Sequence, residues 1–262
     1  MSSLGKAENV DERMEAFVQQ LLQSTRSNLK TNMFLVRFAR SEKAARELRI
    51  EQAQSGHAVL PWLFADLQGE RENLSAQEWI RSFSDAADTG VSFCVLKGTD
   101  STKYQEILRG AAKIRRILFM LLTDEKQISD QSMRFFEANR NIIPFFTIEG
   151  VNLFREIRSG LNVFSEYAPV VKKMERCKDL SVIFGAFITV SAENVGEIVS
   201  KEFLNRLYDR GCRCVFYVTE SGKEEEVDNN RQQENQRYLK KQLKQLKSQH
   251  MGMLLLEWAE FV

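Results

Sequence analysis

The chain has 262 residues, of which 43% are hydrophobic, so it is long enough to bury a sizeable core. Thirty-seven basic and thirty-six acidic residues leave a formal net charge of +1, which excludes a general electrostatic attraction to nucleic acid or to an anionic membrane. The sequence contains no run of 18 apolar residues, and its first residues lack a signal-peptide pattern. We therefore expect a cytoplasmic protein with neither a nucleic-acid nor a membrane partner.

Two helical stretches come before the first predicted strand. In a helix predicted over 11–29, Met14, Phe17, Val18 and Leu21 share one apolar stripe. A second helix is predicted over 41–54. We expect residues 1–58 to form a helical prefix that packs against the sheet that follows.

From residue 59 onward the sequence alternates between strands and helices. Nearly continuous apolar runs such as RILFMLLT are typical of strands that are covered on both faces in a parallel sheet. Ser75 and Glu78 have the spacing of a capping box at the start of one helix, and Gly90 can end that helix in a left-handed conformation. The predicted strands are 60–67, 91–97, 117–123, 142–148, 181–190, 213–219 and 253–258. The other predicted helices are 103–112, 129–139, 163–176, 192–209 and 231–248.

This alternation predicts an α/β fold in which residues 59–262 form a partial (β/α) barrel of about six to seven parallel strands. The sequence stops four residues after the seventh predicted strand, so a complete eightfold barrel is not expected. An open doubly wound sheet is the second possibility. In either architecture the loops that follow the carboxyl ends of the strands form the functional mouth.

The segment SEKAARELRIEQAQSGHAVLPWLFADL resembles the opening of a radical S-adenosylmethionine (SAM) protein, with Pro61 at the proline step of the first strand. The resemblance extends from about residue 33 to the C-terminus and consists of many weak matches. It implies a radical SAM-like partial barrel.

In that family the loop after the first strand carries a Cys-x3-Cys-x2-Cys motif, whose three thiolates hold a [4Fe-4S] cluster. The corresponding loop here is QGEREN, residues 68–73, which has no cysteine. The resemblance therefore implies a degenerate member that has lost the cluster loop, and we expect no [4Fe-4S] cluster.

Two motif positions after the second strand match the family's Gly-Gly-Glu-Pro cradle for the amino group of SAM. Gly98 keeps one glycine, and Asp100 offers a shorter carboxylate. The alternative interpretation is an ordinary polar turn between a strand and a helix. The family's next motif keeps only its first residue, at Thr123.

The fourth strand carries the best match, because IPFFTIEG resembles a family IPVLSIEG. The match places Thr147 at the serine position, and Glu149 and Gly150 at the glutamate and glycine of that motif. Arg158 matches the family arginine that reaches the carboxylate of SAM through a bidentate contact. An ion pair of Arg158 with Glu149 or Glu156 at the barrel rim is the alternative.

The four cysteines offer little chemistry. Cys94, Cys212 and Cys214 lie in apolar strand-like runs and are interpreted as small core residues, while Cys177, beside Lys178 near a helix end, is expected to be exposed. No second ligand pair with suitable spacing accompanies Cys212 and Cys214, so we predict no metal site.

These features together favour a noncatalytic radical SAM-like pseudoenzyme that acts as a partner or binding module. A full-length radical SAM protein or another protein is the expected partner, no catalytic residue is assigned, and no cofactor is expected beyond residual SAM binding. The alternative is an enzyme or sensor that keeps a SAM or nucleoside site at the mouth, with Asp100, Glu149 and Arg158 as ligands, or that receives cysteines from another chain.

Overall fold

The computed structural model describes residues 3–26, 28–69, 73–98, 101–123, 128–148, 168–191, 194–219, 237–246 and 253–257. The chain divides into two compact units, Met1–Pro144 and Phe145–Val262. The predicted boundary between residues 58 and 59 stays a prediction.

The first unit begins with the expected helical prefix, which consists of α1 (Ser3–Ser24) and α2 (Leu29–Gln54). The helix predicted over 41–54 begins twelve residues earlier, and the helix predicted over 11–29 ends before residue 29. The reason is a cap at Asn28, whose side chain accepts a hydrogen bond from the backbone N–H of Thr31 at 3.2 Å. An asparagine in extended conformation at this position starts a new helix.

Three strand and helix pairs follow in the first unit, and serine caps start each of the helices. The Ser75–Glu78 capping box is confirmed, and Gly90, with φ of +98°, closes the turn after that helix. The elements are β1 (Trp62–Asp66), α3 (Ala76–Asp88), β2 (Phe93–Lys97), α4 (Thr102–Ala111), β3 (Leu118–Thr123) and α5 (Asp130–Ala138).

Strand β4 (Ile142–Ile148) has the predicted bounds and runs from the first unit into the second. The helix predicted over 192–209 is wrong as a single element, because Ser200 caps a second helix by accepting from Phe203 N–H at 3.2 Å. The second unit also contains α6 (Ala168–Asp179), β5 (Gly185–Val190), α7 (Val195–Ile198), α8 (Lys201–Asp209), β6 (Cys214–Thr219), α9 (237–246) and β7 (Leu254–Glu257).

The seven strands form one parallel sheet in the sequential order β1 to β7. The pairs are in simple register, for example Trp62 with Phe93 and Gly185 with Cys214. Sequential order without a reversal is the topology of a (β/α) barrel and differs from that of a doubly wound sheet. The predicted fold class, an α/β partial barrel with an N-terminal helical prefix, is confirmed.

The two faces of β2 and β3 pack against different helices of the first unit. Phe119 contacts Phe83 of α3, with ring centroids 5.3 Å apart. Phe93 contacts Phe17 of α1 at 6.0 Å and Phe38 of α2 at 5.5 Å. Because Phe119 is paired with Cys94, the neighbour of Phe93, the prefix covers the face opposite to α3.

In the second unit one sheet face carries an aromatic layer. The Phe145 and Phe216 ring centroids are 5.5 Å apart, and those of Phe187 and Phe216 are 6.4 Å apart. Tyr217 points to the other face, where its hydroxyl donates to the carbonyl of Ile198 at 2.9 Å. This alternation places Phe145, Thr147 and Phe187 on one side of the sheet.

Candidate functional site

The loop after β1 corresponds to the position of the cluster motif in the radical SAM proteins that the sequence resembles. Asp66, the last residue of β1, accepts a hydrogen bond from Gln68 N–H at 3.0 Å and pairs with Lys97 at the end of β2, with an Nζ–Oδ2 distance of 3.3 Å. The Lys97 side chain is 54% exposed, so this ion pair contributes little to stability. Asp66 thus shapes the start of the loop, and residues 70–72 lie outside the described residues.

Gly98, a predicted SAM-binding residue, directly follows β2 and is buried. A Cβ atom added to it would lie 2.9 Å from two ring carbons of Tyr104 and 3.2 Å from a methyl carbon of Leu67. Ser101 caps α4 by accepting from Tyr104 N–H at 3.1 Å, which holds Tyr104 over the glycine. Packing of α4 onto the strand end therefore explains Gly98 without a ligand.

Thr147 lies near the carboxyl end of β4 and is half-buried. It pairs with Phe187 in the register between β4 and β5, so its side chain borders the aromatic layer of the second unit. The three other predicted SAM-binding residues, Asp100, Glu149 and Arg158, lie outside the described residues. Their assignment stays a prediction.

A groove that the sequence did not indicate opens between α4 and α5, beside the carboxyl end of β3. Its volume is about 220 Å³, below the roughly 300 Å³ at which pockets for drug-sized ligands begin. The lining is mixed: Leu121, Phe135 and Phe136 are apolar, and Arg109 and Thr123 are among its polar residues. The groove depends on how two helices pack side by side, which sequence periodicity does not predict.

All four cysteines are buried in the core. The expectation that Cys177 is exposed is wrong, because Val170, Met174 and Cys177 share the inward face of α6. Burial raises the pKa of the Cys177 and Cys212 thiols to about 12, and it also raises the pKa of Cys94. A thiol with such a pKa is protonated and is a poor metal ligand at neutral pH.

We expect none of the four thiols to react with Ellman's reagent in the native protein at mildly alkaline pH, because the reagent attacks exposed thiolates. All four should react once guanidinium chloride unfolds the chain. A thiol that reacts rapidly before unfolding would contradict the burial. Loss of that reaction in a Cys177→Ser variant would identify Cys177 as the reactive thiol.

A [4Fe-4S] cluster held by this chain does not fit these residues. The loop 68–73 contains no cysteine, and all four cysteines of the sequence are packed in the core. Among the described residues, no group of three or more histidine, cysteine, aspartate or glutamate side chains could hold a metal ion. Cluster binding needs thiolate donors that converge on one point.

Among the comparisons with known proteins, the one with solved structures supports the fold. No protein-family model matches the sequence, and no curated protein matches it. Crystal structures of Streptococcus suis SuiB are similar, with a TM-score of 0.52 and 12% identity, over 70% of this chain and 43% of SuiB. SuiB structures with bound S-adenosylmethionine and with the precursor peptide SuiA match with the same TM-score and identity.

These comparisons concern the fold alone, and the class that the fold defines is an α/β partial barrel similar to part of SuiB. The chain spans less than half the length of SuiB. None of the helices in the described ranges is both long enough and apolar enough to cross a bilayer. The cytoplasmic location stays a prediction.

Proposed function

We propose that this chain is a degenerate radical SAM-like protein that holds no iron–sulfur cluster and serves as a noncatalytic binding module. The burial of all four cysteines in the core carries this proposal. In radical SAM chemistry the cluster supplies the electron that cleaves the sulfonium of SAM. A chain without converging thiolates has no means of holding that electron donor.

A protein partner is the companion part of the proposal. SuiB has been crystallised with a precursor peptide, which is an example of this fold in complex with a peptide. A full-length radical SAM protein could supply the cluster that this chain lacks. The partial barrel would then contribute binding surface to the complex.

Anaerobic reconstitution with ferrous iron and sulfide tests the absence of a cluster. We expect far less than one cluster per chain, no absorbance band of a [4Fe-4S] cluster, and no 5′-deoxyadenosine when SAM and dithionite are added. A full-length radical SAM enzyme treated in parallel is the positive control. Stoichiometric iron and sulfide together with 5′-deoxyadenosine would overturn the proposal.

The alternative is a remaining SAM or nucleoside site that includes Gly98, Asp100, Thr147, Glu149 and Arg158. The half-buried position of Thr147 near a strand's carboxyl end supports it. Isothermal titration with SAM decides between the two functions, with Thr147→Val and Arg158→Ala as variants. Saturable binding that both variants lose would favour the alternative. The absence of any heat of binding at millimolar SAM would count against it.

A further inference from the structure

The outward face of α2 carries a regular repeat that the fold of the first unit does not use. Seven exposed residues follow one another at alternating spacings of four and three, and the four apolar ones are between 38% and 72% exposed. The seven residues, which we call the outer seam, are Leu29, Met33, Val36, Arg40, Lys43, Glu47 and Ile50.

The opposite face of α2 is already packed. Thr31, Leu35, Phe38, Glu42 and Arg49 are buried there, also at spacings of four, three, four and seven. Phe38 reaches the sheet at Phe93, with ring centroids 5.5 Å apart. Helix α2 therefore has one seam that holds it in the protein and a second seam that faces solvent.

A spacing of four and three is the pattern by which one helix packs against another in a coiled coil. The N-terminal half of the outer seam carries three of its four apolar residues, Leu29, Met33 and Val36, in a single narrow row. Such a row matches the width of one partner helix rather than that of a broad hydrophobic surface. Leu29, Met33 and Val36 are 72%, 48% and 38% exposed, so the row is open to solvent.

The exposed charges beside Leu29, Met33 and Val36 are all positive, and the acidic Glu47 of the seam lies further along the helix. Lys30, Arg37, Arg40 and Lys43 are exposed, and within the described part of the chain they form no hydrogen bond or ion pair through their side chains. The sequence from 29 to 41 has no acidic residue. Glu42 turns inward to Arg49, with an Oε1–Nη2 distance of 2.7 Å, and so does not neutralise the outward cations.

We propose that the outer seam docks an acidic amphipathic α-helix of a partner protein. Apolar side chains of that helix would cover Leu29, Met33 and Val36, and its carboxylates would face Arg37 and Arg40. Helix recognition through residues at i, i+4 and i+7 is a common binding mode, and opposite charges beside the row select the partner.

Two other occupants fit less well. A second copy of the chain would bring its own row of cations against Lys30, Arg37 and Arg40, and like charges oppose that pairing. Membrane-binding helices usually insert Trp or Phe beside Leu, and the outer seam has no aromatic residue. The docking face does not depend on the absence of a cluster, so reconstitution could succeed and the partner helix still bind.

The test uses the full chain and a fluorescein-labelled synthetic helix as the probe. The peptide has roughly four heptads, enough to be helical by itself, with leucine at a and d and glutamate at e and g. A matched peptide carries lysine at e and g. In fluorescence anisotropy we expect the acidic peptide to bind at least about tenfold more tightly than the basic one, and added salt to weaken it.

Variants on the outer seam identify the surface. Met33→Glu is expected to weaken acidic-peptide binding by about tenfold or more. The double variant Arg37→Glu, Arg40→Glu is expected to reverse the preference in favour of the basic peptide. Leu60→Glu, which changes an exposed leucine outside the seam, is the matched control and should bind like the wild type. Circular dichroism checks that every variant is folded, and Val36→Gln replaces any that is not.

Several results would overturn the proposal. One is equal affinity for the two peptides, and another is acidic-peptide binding that Met33→Glu does not change. Binding to phosphatidylserine vesicles that Met33→Glu abolishes, without acidic-peptide binding, would identify a membrane surface instead. A dimer in sedimentation that Met33→Glu dissociates, again without acidic-peptide binding, would identify a second copy as the occupant.

Discussion

Replacing Arg49 with methionine is expected to destabilise the protein by about 3–5 kcal/mol, because it removes one partner of a buried ion pair. The Arg49 side chain is 2% exposed and that of Glu42 is 8% exposed, and their closest N–O distance is 2.7 Å. Arg49 also donates to the carbonyl of Gly90 and, at 3.4 Å, to the hydroxyl of Ser92. One guanidinium thus joins α2 to the segment that leads into β2.

The local backbone adds to this effect. Gly90 has φ of +98°, a conformation that side-chain-bearing residues rarely adopt. A Cβ atom there would lie 2.9 Å from Cγ of Arg49, so the arginine stem packs directly against the turn. Loss of the arginine therefore removes packing as well as charge.

Urea unfolding followed by circular dichroism measures the change. Arg46→Met is the matched control on the same helix, because Arg46 and its partner Glu15 are 35% and 57% exposed and such pairs contribute only about 0–1 kcal/mol. The double variant Glu42→Met, Arg49→Met should recover part of the lost stability, since it removes the buried carboxylate as well but not the loss of the contacts to Gly90 and Ser92. A loss below about 1 kcal/mol in Arg49→Met would contradict the expectation.

Substitution of Gly185 by alanine is expected to destabilise the second unit by about 1–3 kcal/mol, because the added methyl group overpacks the core. A Cβ atom at Gly185 would lie 2.2 Å from Cε1 and 2.5 Å from Cδ1 of Phe145. Phe145 cannot move away easily, since it is 1% exposed and contacts Phe216 at 5.5 Å. Glycine here makes room for the aromatic layer.

The matched control is Gly196→Ala in α7, where an added Cβ would meet nothing within 4 Å. That change should be neutral or should stabilise by up to about 1 kcal/mol, because alanine restricts the unfolded chain. The double variant Gly185→Ala, Phe145→Leu should lose less stability than the sum of the single changes, since the two sites are in contact. Equal effects of Gly185→Ala and Gly196→Ala in thermal unfolding would refute the overpacking explanation.

The strands were predictable because their signal is local. Continuous apolar runs gave β4 its bounds, and the spacing of Ser75 and Glu78 placed the start of α3. The helix starts at Leu29 and Lys201 were missed, although Asn28 and Ser200 are ordinary capping residues. In both places apolar residues continue across the break, so periodicity alone suggests a different boundary.

The sequence by itself determined the sequential order of strands and helices and the lack of cysteine in the loop after β1, because both depend only on neighbouring residues. Tertiary structure decided that Cys177 is buried, that Gly185 accommodates the Phe145 ring, and that α2 has one occupied face and one open face. Those outcomes depend on which distant segment covers a side chain. Periodicity shows that a helix has a face, and only packing shows what that face contacts.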